Sequence, residues 1–142
     1  MKIAIANDHA GLELKKAILE HFPNLDWLDL GTNTSESVDY PDYGAKLARA
    51  ITENQAERGI VICGSGIGIS IAANRFPAVR AALCTDVTMA RLSRLHNNAN
   101  VLALGGRLTG VTTAFDIVEA FIAGKYEGGR HERRVQKLSE TC

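Results

Sequence analysis

The sequence predicts an α/β protein in which a three-layer α/β/α sandwich is built on a five-stranded parallel sheet of Rossmann-like or flavodoxin-like type. Short apolar runs alternate along the chain with segments whose apolar residues recur at helical spacing, and this alternation is typical of successive βα units. Each run is almost uniformly apolar, as expected of a parallel strand whose sheet is covered by helices on both faces. Right-handed crossovers between such strands give the three layers.

Five apolar runs are predicted to form the strands, and each ends at or next to Gly, Asn or Cys. They are residues 3–6, 27–30, 60–63, 79–84 and 101–104. The clearest helical stripes are Leu14, Ala17, Ile18 and Phe22 after the first strand, Tyr43, Leu47, Ala50 and Ile51 after the second, and Ala114, Ile117, Val118, Phe121 and Ile122 after the fifth. Gly124 stands where a C-cap glycine belongs, and a polar segment from about residue 130 to residue 140 is expected to form one more helix.

Length and charge narrow the class of protein. A chain of 142 residues is expected to form a single domain over residues 1–142. Its 16 Lys and Arg residues balance its 16 Asp and Glu residues, so the chain lacks the positive field that attracts nucleic acid. No apolar run is long enough to span a bilayer, and the first strand begins too early to leave room for a signal peptide. We therefore expect a cytoplasmic protein with no nucleic-acid or membrane partner.

Cysteine usage points to free thiols. Cys63, Cys84 and Cys142 are an odd number of cysteines with no close pair. This spacing favours neither a disulfide framework nor a thiolate zinc site, and no metal site is predicted. A cysteine that matters to function should therefore act as a thiol.

Parallel sheets bind ligands at the carboxyl ends of their strands, so the loops there are the places to look for chemistry. The loop at residues 63–68 carries three glycines, which let consecutive backbone N–H groups turn toward one point near a helix N-terminus. This arrangement predicts an anion cradle. Ile69 argues against a dinucleotide fingerprint, which needs glycine at that position, and against a Cys-x5-Arg phosphatase loop, which needs arginine there.

Cys63 opens this loop and has two interpretations. Beside a helix N-terminus the thiolate is favoured, which suits a general base facing an oxyanion held by the loop amides. The alternative is a buried cysteine at a strand end, next to a tight turn and without a chemical role. Local sequence leaves both interpretations open.

Several other polar residues also have a structural and a chemical interpretation. Asp8 and His9 follow the first strand, and spacing alone favours an N-cap role for Asp8 and a first-turn position for His9. His96 and Asn97 end the fourth helix, where a histidine can stabilise the helix dipole. Their positions near strand and helix ends are equally compatible with a ligand site.

Residues 128–134 form the densest basic segment of the chain. Arg130 and Arg134 are four apart, so on one helix both guanidinium groups would extend from the same face toward a phosphate. A solvated helix end is the competing interpretation.

Five segments taken together resemble the type B ribose-5-phosphate isomerase family, which also includes isomerases of hexose phosphates. They are residues 7–11, 39–41, 63–74, 96–102 and 126–131, and they occur in the family's order over essentially the whole chain. The resemblance implies interconversion of ribose 5-phosphate and ribulose 5-phosphate through an enediolate, without a metal or an organic cofactor.

The same resemblance implies roles for individual residues. Cys63 would remove the proton next to the carbonyl, and Ser65 would help to move protons between the oxygens. His96 would open the furanose ring, with Asp8 orienting the substrate hydroxyls. The residues implied to bind substrate are Asp8, His9, Gly64, Ser65, Gly66, Ile67, Gly68, Asn97, Arg107, Arg130 and Arg134.

Members of this family are homodimers or dimers of dimers, and their active sites combine the cysteine loop of one subunit with the histidine and arginines of another. The resemblance implies the same shared sites here. Two positions depart from the family pattern: Asn7 stands where small or cysteine side chains are common, and Asn98 where aspartate often stands. Either departure could alter the substrate preference.

Two alternatives remain beside the pentose-phosphate isomerase. A hexose 6-phosphate, such as allose or galactose 6-phosphate, differs by one carbon, and packing discriminates such a difference by only ~1–3 kcal/mol, which the motifs do not resolve. From a different class, a flavodoxin-like module could bind an anion or receive a phosphoryl group without being an enzyme. A receiver module needs an aspartate at the end of its third strand, where this chain has Cys63.

Overall fold

A computed structural model describes residues 1–141 and confirms the predicted α/β class with a five-stranded parallel sheet. The strands are β1 (Lys2–Asn7), β2 (Asp26–Asp29), β3 (Arg58–Cys63), β4 (Ala81–Leu83) and β5 (Val101–Gly105). The helices are α1 (Leu12–His21), α2 (Tyr40–Thr52), α3 (Ile67–Ala73), α4 (Val87–Asn97), α5 (Val111–Ala123) and α6 (Glu132–Glu140). Short 3₁₀ turns at His9–Gly11 and Gly129–His131 precede α1 and α6. Cys142 lies outside the described residues.

The strand order is β2-β1-β3-β5-β4, and every neighbouring pair is parallel. From β1 the chain moves outward to β2 and then returns to the other side of β1 with β3. A crevice therefore opens between the carboxyl ends of β1 and β3, where ligands of doubly wound sheets bind. The order differs from the flavodoxin order 2-1-3-4-5 because β5 is inserted between β3 and β4, which leaves β4 at the edge.

The alternation of side chains along each strand produces two core layers. Ile3 and Ile5 point to the face covered by α1, α4 and α5, whereas Ala4 and Ala6 point to the face covered by α2 and α3. The direction of each crossover explains this division, because right-handed connections that run in opposite directions along the sheet lie on opposite faces. The α6 helix lies outside both layers and contacts mainly the turn that precedes it.

The fourth strand is shorter than the predicted run 79–84. Asn100 binds the backbone on both sides of Val79, accepting from Arg80 N at 2.8 Å and donating to Ala78 O at 2.8 Å. On the outer edge, the side chain of Asn74 accepts from Ala81 N at 2.7 Å and donates to Ala81 O at 2.9 Å. Side-chain amides thus replace strand pairing at this end of the run.

Of two predictions about helix ends, one is confirmed and one needs correction. Gly124 is the C-cap residue of α5, as predicted, and its backbone is extended (φ −66°, ψ 139°). Glycine is required there by packing, because a Cβ atom would lie 2.7 Å from Arg94 Cβ. The last helix starts at Glu132, since Gly128 and Gly129 adopt φ values of 69° and 57° that lead into a 3₁₀ turn.

Arg130 and Arg134 therefore do not share one α-helix. Arg130 lies in the 3₁₀ turn and Arg134 lies in α6. Among residues 1–141, no helix has the length and apolar character needed to cross a membrane.

Candidate active site

A cavity of about 630 Å³ lies at the carboxyl ends of β1, β3 and β5, where the strand order places the ligand crevice. It is lined by Asp8, Tyr40, Cys63, Gly64, Ser65, Ile67, Gly68, Ile71, Arg107 and Leu108. We call this cavity the thiol pocket. It brings together most of the strand-end residues that the sequence singled out.

Cys63 is the last residue of β3, and it is only 4% exposed although it lines the thiol pocket. Its Sγ accepts a hydrogen bond from Gly66 N at 3.2 Å. Gly66 is left-handed (φ 78°), and a Cβ atom there would lie 2.7 Å from Leu83 Cδ1 and 2.8 Å from the carbonyl carbon of Leu104. Only glycine can therefore make the turn that brings this amide to the sulfur.

The loop after Cys63 is fixed by the end of β5. Gly106 N donates to Cys63 O at 2.8 Å, and Arg107 N donates to Gly64 O at 3.0 Å. A Cβ atom on Gly105 would lie 2.7 Å from Ser65 O, so the two strand ends approach as closely as a glycine permits. The loop is thus held by backbone contacts on both sides.

Some amides of this loop are already used and others face no protein acceptor. Ile67 N donates to Ser65 Oγ at 3.2 Å. Within residues 1–141, the N–H groups of Ser65 and Gly68 have no protein acceptor. Tyr40 closes over Gly68, where a Cβ atom would lie 2.5 Å from Tyr40 Cε1. The arrangement can therefore hold a negative oxygen beside a buried thiol.

Asp8 and His9 both have structural bonds. Asp8 Oδ1 accepts from Ala10 N at 3.0 Å and from Gly11 N at 3.2 Å, which confirms the N-cap interpretation while leaving Asp8 on the pocket wall. His9 Nδ1 accepts from Val38 N at 3.1 Å. That bond places the proton of a neutral His9 on Nε2.

The remaining predicted residues lie elsewhere. His96, Asn97 and Arg134 line a second cavity of about 320 Å³, together with His131, Val135 and Leu138. We call this the histidine cavity. Arg130 lines neither cavity, and its NH1 atom lies 3.7 Å from Glu127 Oε1. Within one chain, the thiol is therefore separated from His96, Arg130 and Arg134, with which the family resemblance combines it.

Sequence reasoning missed two side chains with polar groups that line these cavities. Tyr40 begins α2 and covers the glycine loop, and His131 follows Arg130 in the 3₁₀ turn. Both residues lie in segments that resemble the family, so the family resemblance is the signal that could have identified them. Neither fits a local spacing rule, because each side chain is brought to its cavity by tertiary packing.

His131 is buried against His96, and their rings stack with centroids 4.5 Å apart and planes inclined by 20°. Burial lowers the pKa of His131, and the nearby charges of Arg130, His96 and Arg134 lower it further, whereas Glu127 acts in the opposite direction. At neutral pH His131 is therefore an uncharged imidazole.

Arg94 holds the end of α4 in place. Its NH1 atom donates to Ala99 O at 2.6 Å and to Asn98 Oδ1 at 3.0 Å, and its Nε donates to Gly124 O at 3.3 Å. Asn98 is left-handed (φ 47°) and ends the helix, as expected. Burial, reinforced by Arg58 and Arg80, lowers the pKa of Arg94 to about 10.

Cys84 provides a contrast with Cys63. It follows β4, is buried, and lies 3.7 Å from the carbonyl oxygen of Ala82. Burial raises the pKa of Cys84 to about 11, so this thiol stays protonated at neutral pH.

Comparisons with known proteins agree with this architecture. The family model described as Ribose/Galactose Isomerase matches residues 3–138. Ribose-5-phosphate isomerase B of Escherichia coli is 45% identical over 140 residues, which cover 97% of this chain and 94% of the relative.

Two solved structures are similar over nearly the full length. Ribose-5-phosphate isomerase B of Clostridium thermocellum has a TM-score of 0.97 at 50% identity, covering 99% of this chain and 97% of that one. The enzyme of the same name from Mycoplasma genitalium, solved with bound ribulose 5-phosphate, has a TM-score of 0.94 at 41% identity, covering 99% and 95% of the two chains.

Proposed function

The chain belongs to the ribose/galactose isomerase family, and on that premise we propose that it interconverts ribose 5-phosphate and ribulose 5-phosphate. The observation that carries the proposal is the buried thiol of Cys63, placed beside free loop amides at the carboxyl ends of β1 and β3. Relatives that share 41–50% of the sequence over nearly the full length are named for this reaction, and one was solved with the ketose bound.

The reaction needs a base and a site for negative oxygen. The Cys63 thiolate takes the proton from carbon 2 of the open-chain aldose, and the C–H electron pair forms the carbon–carbon double bond of an enediolate. The new thiol then returns the proton to carbon 1, while the hydroxyl proton moves from oxygen 2 to oxygen 1. The amides of Ser65 and Gly68 stabilise the negative charge that develops on oxygen.

Ser65 is suited to the movement of protons between the two oxygens. Its Oγ accepts from Ile67 N, and that bond leaves the hydroxyl hydrogen free to be donated. Asp8, oriented by its cap bonds, accepts from sugar hydroxyls on the opposite wall of the pocket.

The basic side chains near the two cavities bind the phosphate group. Arg107 lies at the rim of the thiol pocket, where a Cβ atom on Gly64 would be 3.5 Å from its NH1 atom. His9 presents its Nε2–H group as a donor, because Val38 N occupies Nδ1. Arg134 in the histidine cavity and Arg130 in the 3₁₀ turn before α6 supply the remaining positive charge from a second chain.

We propose that each active site is completed by a second copy of the chain, in a homodimer or a dimer of dimers. Three exposed apolar side chains border the thiol pocket, with Ile67 51%, Ile71 60% and Leu108 73% exposed. A second copy that covers this apolar rim would carry its His96, Asn97, Arg130 and Arg134 toward the thiol. The separation of the two cavities within one chain supports this arrangement.

The proposed reaction is tested by comparing substrates on the pure protein. We expect the highest kcat/KM for ribose 5-phosphate, with allose 6-phosphate and galactose 6-phosphate as the competing sugars. A higher value for either hexose phosphate would move the assignment to that substrate. Absence of turnover with all three sugars would favour an anion-binding module without isomerase activity.

A further inference from the structure

The two histidines of the histidine cavity form, together with Glu127 next to it, a set of metal-ligating groups that the isomerisation does not use as a set. The ligand atoms of His96, Glu127 and His131 all lie within 4.8 Å of one another. They come from three segments: the last turn of α4, the chain after α5, and the 3₁₀ turn before α6. We propose that these three side chains bind a divalent transition-metal ion such as Zn²⁺.

The backbone around the cluster is held in place. Glu127 N donates to Leu95 O at 3.0 Å, which ties the segment of Glu127 to the end of α4. His131 N donates to Gly128 O at 3.1 Å, which closes the 3₁₀ turn. Main-chain bonds therefore fix the backbone positions from which the Glu127 and His131 side chains extend.

An unpartnered nitrogen in this cluster points to a missing ligand. His131 is only 7% exposed, and its Nε2 atom is buried with no hydrogen-bond partner among residues 1–141. Buried polar atoms are normally paired, since an unpaired one loses its hydration without compensation. A metal ion bound to this nitrogen would supply the missing partner.

The donor set selects the class of ion. Two imidazole nitrogens and one carboxylate oxygen suit Zn²⁺ and the neighbouring first-row ions, whereas Mg²⁺ and Ca²⁺ prefer oxygen donors only. Metal–ligand bonds of about 2.0–2.2 Å require the three atoms to draw closer than they now lie, and they require the stacked rings of His96 and His131 to turn so that their lone pairs converge. Glu127 can move, because its carboxylate is exposed and its ion pair with Arg130 is loose at 3.7 Å.

Occupancy would inhibit the enzyme. A metal on His96 removes the imidazole assigned to ring opening. This consequence rests on the proposed function, but the binding of the metal does not.

Binding is measured by titrating the intact protein with Co²⁺, following its visible absorption, and then displacing Co²⁺ with Zn²⁺. Glu127→Gln removes one metal ligand, and the residue is exposed, so the variant should still fold. Loss of a group that only supports a ligand already weakens metal binding about tenfold, so loss of a ligand should weaken it by at least that factor. His131→Asn should weaken it similarly. His21→Asn is the matched control, because His21 stacks on Phe115 and belongs to no ligand cluster found in residues 1–141.

The thiol of Cys63 is the competing metal ligand, so the titration is repeated with Cys63→Ala. Unchanged binding in that variant, together with weakened binding in Glu127→Gln, supports the proposal. Loss of binding in Cys63→Ala with full retention in Glu127→Gln and His131→Asn would overturn it, as would failure of the wild-type protein to bind Co²⁺ or Zn²⁺.

Inhibition provides the second readout. Zn²⁺ should inhibit ribose 5-phosphate turnover and Mg²⁺ should not, and Glu127→Gln should retain basal turnover while losing Zn²⁺ sensitivity. Metal binding by a protein without isomerase activity would contradict only the proposed function. An active enzyme that binds no metal would contradict only the metal site.

Discussion

The thiol pocket and the histidine cavity are built in different ways. The thiol pocket stands on the ends of β1, β3 and β5, and its loop is fixed by backbone bonds and by glycines packed against neighbouring main chain. The histidine cavity stands on a helix end and a short turn, and the side chain of Arg94 holds that helix end. The order of the strands fixes the positions of the residues at their ends, whereas the position of this helix end depends on one long side chain.

This difference predicts where substitutions affect chemistry alone and where they also affect stability. The largest effect is expected at the thiol. Cys63→Ala should lower kcat by about 10²–10⁴-fold, the usual contribution of a general base, with little change in substrate binding. Steady-state kinetics on the folded variant measure both quantities.

Cys84→Ala is the matched control for this substitution, because Cys84 is also buried next to a strand end but does not line the thiol pocket. It should keep kcat and lose only thermal stability. Near-normal turnover of Cys63→Ala would contradict the assignment of Cys63 as the base and would favour its structural interpretation.

The next effect concerns phosphate binding from the histidine cavity. Arg134→Ala should cost roughly 1.5–3 kcal/mol in kcat/KM, or about 10- to 150-fold, the scale of a charge-assisted hydrogen bond. Binding of free ribose should barely change. Arg133→Ala is the control, because Arg133 is equally exposed on α6 but does not line the cavity.

The thiol pocket and the histidine cavity form one active site only if that site is shared between two chains. Mixing two inactive variants tests this directly. A mixed dimer of Cys63→Ala and Arg134→Ala contains one site with both native residues, so random exchange restores about a quarter of the native sites. No recovery after verified subunit exchange would place both residues in a site made by a single chain.

The smallest effect concerns the support of the histidine cavity. Arg94 is 5% exposed and its bonds at this turn go to neutral acceptors, including Asn98 Oδ1. Asn98→Asp should add about 1 kcal/mol of stability, because a hydrogen bond between charged partners exceeds one with a neutral acceptor. Thermal unfolding should shift upward by about 3 °C.

Asn54→Asp is the control for this prediction, because Asn54 is also left-handed (φ 59°) but is exposed at the end of α2. It measures separately how much the left-handed backbone conformation favours Asn over Asp, without the effect of the ion pair. An equal change in melting temperature for both variants would show that Arg94 gains nothing from the added carboxylate.

Much of the thiol pocket was predictable because it follows from strand periodicity. Uniformly apolar runs identified β1, β3 and β5, and the loops at their carboxyl ends contain Asp8 and Cys63. The strand order could not be predicted, since the sequence pattern does not show that β5 would be inserted beside β3. The roles proposed for the site residues remain predictions.

The histidine cavity was harder to predict, since its geometry depends on backbone conformation that spacing does not show. The four-residue spacing of Arg130 and Arg134 suggested one helix, but Gly128 and Gly129, both with positive φ, lead into a 3₁₀ turn that contains Arg130 and leaves only Arg134 in α6. That same turn buries His131 against His96, a contact between residues 35 positions apart that no local pattern indicates.

The side chain of Asn74 has a consequence for how molecules of this protein can associate. Its amide occupies both the N–H and the C=O of Ala81 that face outward from β4. An incoming strand from another molecule would need those same two groups, and the open edges of sheets are the usual template for aggregation. The side chain of Asn74 therefore blocks the addition of a strand at this end of β4.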